Sequence, residues 1–181
     1  ADQLVSALDL EEQSWVNAYR LAARWQDAGK AHCVFQGAMP DDAPPGLWAK
    51  SQGKMKKYNR PAFRHELASA LAMLANSQPD LAAYLTAAHH GKVRLSIRSM
   101  PQERPPRDNP ELLFARGIRD CDELPETALG GGTTMPASKL RLSYMALGDD
   151  DDTGPSWLSR MLALRDSREL GPFRLAFLEA L

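Results

Sequence analysis

Pro61-Ala62-Phe63-Arg64-His65-Glu66-Leu67-Ala68-Ser69-Ala70-Leu71-Ala72-Met73-Leu74-Ala75, followed by Asp80-Leu81-Ala82-Ala83-Tyr84-Leu85-Thr86-Ala87-Ala88-His89-His90-Gly91, decides how this chain is read. The recurrence of Leu67, Leu71 and Leu74 along one stripe predicts a helix over 61–75, with Pro61 near its start and His65 in the first turn or two. Asp80 opens a second expected helix, whose Leu81, Tyr84, Leu85 and Ala88 form a buried face and whose C-terminus is His89-His90-Gly91. Three imidazoles therefore fall at helix ends. Taken singly, His65 reads as a polar first-turn residue and His89-His90 as a cap suited to the negative end of a helix dipole. Together with Asp27, about one helix upstream, the ordered set reads as a metal site, because imidazoles and a carboxylate at element termini can converge on one cation.

Working outward, Trp15, Tyr19, Ala22 and Ala23 recur at helical spacing, so 11–28 is expected to be a helix with Asp27 in its last turn and Gly29 as its C-cap. A short helix is expected over 31–39, then a loop rich in Asp, Pro and Gly, then a flexible basic loop over 51–59. After Gly91 the pattern changes. Residues 93–100 are short and alternating, 101–110 form a proline-rich loop, and Gly130-Gly131-Gly132 punctuates two expected strands. Leu140, Leu142 and Tyr144 alternate with polar residues as a half-buried hairpin strand would. Segment 92–150 thus reads as an insertion on a helical body, which resumes with Trp157, Leu158, Met161 and Leu164, breaks at Gly171-Pro172 and ends in a helix over 173–181. The expected fold is mainly α: a helical bundle with a small β-hairpin insertion.

A chain of 181 residues, 44% hydrophobic, can bury one core, and one domain over 1–181 is expected. Two isolated cysteines, Cys33 and Cys121, make neither a disulfide framework nor a zinc knuckle. With no signal-peptide pattern and no long apolar span, the expected location is cytoplasmic, away from membranes. The net charge of −1 hides an asymmetry. Residues 43–107 hold eleven Lys and Arg against three acids, a balance of +8, and the rest of the chain has a balance of −9. The clustered imidazoles lie in the basic part, where a polyanion would be steered.

Phosphodiester hydrolysis is the chemistry these residues suit, since a metal acidifies water and offsets charge on the non-bridging oxygens. His65, His89, His90 and Asp27 are the expected ligands. Lys30, Lys92 and Arg94 adjoin them in sequence and are expected to bind flanking phosphates, with Lys54, Lys56 and Lys57 from the basic loop. Trp48, Tyr58 and Phe63 are candidates for stacking on unpaired bases. His32 lacks partner spacing and is left as surface or core. The run Asp149 to Asp152 lacks the glycine and distal glutamate of a calcium loop and reads as a solvated turn. Asp120 and Asp122 could approach the cleft, but a plain turn is the simpler reading. No phosphate-binding loop of ATPase type is present, so any unwinding motor must lie elsewhere.

The order Trp25-x-Asp27-x-Gly29-Lys30-Ala31-His32, then Phe63-Arg64-His65-Glu66, then Ala87-Ala88-His89-His90-Gly91-Lys92-Val93-Arg94 resembles the HD nuclease domain of the CRISPR-associated helicase-nuclease of type I systems. The variety it most resembles carries this domain after the helicase on one polypeptide (subtype I-U, also called I-G). Segments 117–125 and 129–132 resemble that variety's insertion, and the likeness spans nearly the whole chain. It implies an HD-domain helical bundle, one or two divalent transition metals (manganese, nickel or cobalt more than magnesium) and cleavage of single-stranded DNA in antiviral defence. The partners it implies are a CRISPR helicase on the same or another chain and an RNA-guided surveillance complex. Asp27 matches the bridging aspartate of the HD dipeptide and Lys30 the lysine that often follows it, both in catalytic roles. His65, His89 and His90 match the later metal-binding histidines.

Three departures accompany the likeness. Gln26 stands where the family has the HD histidine, and an amide oxygen is a far weaker ligand than imidazole for such metals. No histidine precedes His32, where the family places one on an earlier helix. The aspartate of the closing helix is missing, as for a fragment ending at Leu181. Two other functions are therefore kept: an HD phosphohydrolase of nucleotides, and a non-catalytic scaffold that binds DNA or a helicase.

Overall fold

A computed structural model describes residues 2–7, 12–51, 53–149, 151–152 and 154–181. Its elements are mainly helical, with small antiparallel ribbons. In chain order come α1 (Asp2–Ala7), α2 (Gln13–Trp25), a 3-10 turn (Ala28–Ala31), α3 (Cys33–Gln36), α4 (His65–Ala75), α5 (Asp80–Ala88), six short strands, a second 3-10 turn (Ser143–Met145), α6 (Trp157–Asp166) and α7 (Gly171–Ala180).

Helix α4 is the centre because it is buried on nearly every side: Leu67, Ala68, Ala70, Leu71, Ala72 and Met73 are fully buried, as are Glu66 and Ser69. Around it pack α5, the 28–31 turn and α2, whose buried Val16, Ala18, Ala22 and Trp25 recur at helical spacing. Helices α6 and α7 close the far side of α5 through Trp157, Met161, Leu175 and Leu178.

Segment 92–150 forms three separate two-stranded ribbons rather than one hairpin: β1 (Phe114–Ala115) with β2 (Ile118–Arg119), β3 (Glu123–Leu124) with β6 (Ser138–Lys139), and β4 (Thr127–Gly130) with β5 (Thr133–Met135). The strand expected around Leu140, Leu142 and Tyr144 is absent. Leu140 and Leu142 are fully buried, but the chain turns into a 3-10 turn at Ser143, so their alternation reflects two inward side chains on irregular backbone. Residues 93–100 likewise form no strand.

Several helix limits also differ from expectation. Glu11, the expected start of the helix over 11–28, lies outside the described residues, as do Asp150 of the acidic run, Thr153 just after it and Gln52 of the basic loop. Helix α2 ends at Trp25, so Asp27 stands beyond it. Gly29 is not a left-handed cap; it lies in the 3-10 turn, where an added Cβ would sit 2.1 Å from the His65 carbonyl oxygen. The helix expected over 31–39 is broken at His32, which is extended and caps α3 by accepting the Val34 N–H on Nδ1. Pro61 does not open α4: Ala62 has a positive φ, and Arg64 is extended with its N–H donated to the Arg116 carbonyl at 3.0 Å. Pairing with the inserted segment thus delays the helix until His65.

Candidate metal centre

His65 is the first residue of α4, and His89 and His90 follow the last turn of α5, where Gly91 (φ +66°) turns the chain away. Because α4 and α5 pack against each other, these two helix ends meet. The ring centroids lie 5.5 Å apart for His65 and His89, 5.1 Å for His65 and His90 and 4.1 Å for His89 and His90. One nitrogen from each ring lies within 4.8 Å of the others. Two ligands of one tetrahedral ion sit about 3.4 Å apart, so small ring movements close the set on a cation.

The His89 tautomer suits that use. His89 Nδ1 donates to the Thr86 carbonyl at 2.7 Å, leaving Nε2 as the free lone pair, the outer-shell arrangement that orients a metal-binding imidazole. Burial above all pushes the His89 pKa below its ordinary value, which keeps the ring neutral at pH 7. His65 Nε2 is buried without a hydrogen-bond partner, although it lies 3.4 Å from Asp27 Oδ1. An unsatisfied buried ring nitrogen beside two more imidazoles fits a cation site.

Asp27 is brought to the histidines by the turn that follows α2. The Ser69 hydroxyl, one helical turn after His65, accepts the Gly29 N–H at 2.7 Å and donates to the Gln26 carbonyl at 2.9 Å. Only glycine permits this contact of the turn with α4. Lys30 Nζ lies 2.9 Å from Asp27 Oδ1. The adjacent His65 imidazole, then Lys30 against the opposing effect of burial, hold the Asp27 carboxyl at about 2, so it is ionised at neutral pH.

Gln26 is exposed and shares a cleft of about 240 Å³ with Tyr19, Leu85, His89 and Glu179. Glu179 is an acid on the closing helix that the sequence reading missed. Its carboxylate is taken by the Tyr84 hydroxyl at 2.6 Å and by Arg94 at 2.5 Å. Arg94, expected on phosphate, is thus engaged with α7. Lys92 is exposed beside the histidines in sequence. Lys56 pairs with Asp41, and the exposed Lys54 and Lys57 side chains make no hydrogen bond or ion pair among the described residues.

Phe63 is buried, its backbone against Gly117 and its ring 5.0 Å from His32, so it cannot stack on a base. Trp48 and Tyr58 remain half-exposed. His32 is fully buried and belongs to the core, with Nε2 3.0 Å from Asp122 Oδ2. Asp122 also meets Arg60 and the Arg119 N–H, and Asp120 accepts the Leu142 N–H, so both aspartates are engaged elsewhere than with His65, His89 and His90.

Glu66 was also missed, although it follows His65 directly. It is fully buried, with both carboxylate oxygens lacking a hydrogen bond; Oε2 lies 3.6 Å from His65 Nδ1 and Oε1 lies 3.8 Å from Arg64 Nε. Among the described residues no helix is long and apolar enough to cross a membrane, and both cysteines are free. No protein-family model, curated protein or solved structure matches this chain.

Proposed function

We propose that the chain is an HD-type nuclease domain that cuts single-stranded DNA with the help of divalent metal, as in type I CRISPR interference, where a helicase and an RNA-guided surveillance complex would supply the unwound strand. The observation that carries this reading is the meeting of His65, His89 and His90 at two helix ends, with Asp27 beside His65. A mainly helical body with both motifs on its inner helices supports the HD bundle.

With three imidazoles and one carboxylate as donors, manganese, nickel or cobalt suits the site better than magnesium; when bound, such an ion acidifies water and offsets the charge on the scissile phosphate. His89 presents Nε2 from a ring fixed by the Thr86 carbonyl, and His65 places its ring between Asp27 and the other two histidines. Asp27, ionised and held by Lys30, supplies the anionic donor. The Lys30 ammonium adds positive charge at the rim, where the phosphate of an incoming strand would lie.

Gln26 favours a second reading, a DNA-binding scaffold without cleavage, because it faces the cleft shared with His89 where an imidazole would be the stronger ligand. Incubating labelled single-stranded DNA, and mononucleotides in parallel, with manganese, nickel, cobalt and magnesium, with an EDTA control and a Gln26→His variant, distinguishes these readings from a nucleotide phosphohydrolase. Metal-dependent cutting by the unaltered chain is expected. Retained binding with no cutting under any metal supports the scaffold, and preferential hydrolysis of mononucleotides supports the phosphohydrolase.

A further inference from the structure

The β1–β2 ribbon turns on Arg116 and Gly117, whose φ angles of +54° and +74° make a tight left-handed reversal. That tip reaches the metal centre. The Arg116 carbonyl accepts the N–H of Arg64, one residue before His65, and its Nη2 donates to the carbonyl of Lys92, two residues after His90. Arg116 therefore ties together the same two helix ends that carry the histidines, through its carbonyl on Arg64 and its guanidinium on Lys92.

The surroundings are those of a site for an anion. Arg116 Nε is buried and has no hydrogen-bond partner among the described residues. The charges of Arg64 and Arg98 both act on it, and burial together with this repulsion pushes its pKa below the ordinary arginine value. Two carboxylates are near. Glu103 is consumed by the backbone N–H groups of Met100, Arg116 and Gly117, and Glu66 makes its ion contacts with Arg64 and His65 rather than with Arg116. With both nearby carboxylates engaged elsewhere and two further guanidinium charges acting on it, Arg116 stands in positive surroundings with an unused N–H donor.

We infer that Arg116, with Arg64, binds one phosphodiester group of single-stranded DNA beside the histidine cluster. A guanidinium offers planar paired donors that match phosphate oxygens, and the positions adjoining His65 and Lys92 set that phosphate next to the metal ligands. The inserted ribbon thereby acts as a clamp that places the strand over the centre. The inference rests on the nuclease reading for its ligand, but binding can be measured without cutting.

The experiment is fluorescence anisotropy with a labelled single-stranded oligonucleotide in EDTA, over a series of salt concentrations. Arg116→Gln is expected to weaken binding roughly tenfold and to lower the slope of log affinity against log salt by about 0.7, the loss of one phosphate contact. Arg116→Lys, which keeps the charge, should keep the slope. If Arg116→Gln fails to fold, Arg64→Gln is read the same way. Unchanged affinity and slope in a folded variant overturn the clamp, as does an unaltered chain that binds no DNA. Absence of cleavage with the expected slope change sinks the nuclease reading and leaves the clamp standing.

Discussion

The Ser69 hydroxyl accepts the Gly29 backbone N–H at 2.7 Å, and this one contact docks the Asp27 turn onto the helix that begins with His65. The same hydroxyl donates to the Gln26 carbonyl, so two backbone groups, one of them buried, depend on it. Ser69→Ala leaves both unsatisfied and should cost about 1–3 kcal/mol. It should also weaken metal binding by freeing Asp27. Urea denaturation and a metal titration on one preparation measure both losses.

Gly29→Ala tests the closeness of the same junction. A Cβ there would lie 2.1 Å from the His65 carbonyl oxygen and 2.7 Å from the Ser69 nitrogen, both backbone atoms of α4 that cannot move alone. The turn must shift, at a cost of roughly 2–3 kcal/mol. The expected result is a lower melting temperature together with weaker metal binding; a variant as stable as the parent argues against the packing described.

The Asp122 node fastens the inserted segment to the body and has a defined pH dependence. Burial raises its pKa, but hydrogen bonds from His32, Arg60 and the Arg119 N–H outweigh that and hold the carboxyl at about 2, against 3.8 for a free side chain. A carboxylate depressed in the folded state adds stability that is present above the unfolded value and lost as pH falls from about 4 to about 2. Allowing for solvent screening, its size is about 1–2 kcal/mol. Asp122→Asn should flatten stability against pH across that window, and a curve parallel to the parent's would remove Asp122 as the source.

Gln26→His places an imidazole in the cleft that holds His89. One more nitrogen donor should raise affinity for manganese or nickel about tenfold, seen as a larger melting-temperature rise at a fixed metal concentration. Because burial depresses the His89 pKa, protons compete for that nitrogen only at lower pH than for an ordinary imidazole. Its share of metal binding should persist as pH falls through 6.5 and then be lost, which repeating the metal titration across pH 5–7 would show.

Much of this site was legible because its chemistry lies in local patterns. The apolar run from Leu67 to Leu74 identified the central helix, and Gly91 after His89-His90 marked a helix end. What was not legible depends on contacts between distant residues. His65 opens α4 only because Arg64 pairs with Arg116, and Gly29 looked like a cap when its role is to let Ser69 approach. Phe63 reads as a stacking surface, but its ring is buried against His32 and Tyr58. Leu140 and Leu142 show that alternation over a few residues marks inward side chains without marking a strand. The burial of Glu66 has no local sign, because a Glu in a first helical turn is ordinarily solvated.

The most direct measurement is isothermal titration of manganese and nickel into the chain and into His89→Ala, with circular dichroism to show that both are folded. Expected is binding of one or two ions by the chain, and loss of at least one ion by the variant, since His89 supplies a nitrogen that no neighbour replaces. Equal binding by the two proteins would contradict the assignment of His65, His89 and His90 as a metal centre.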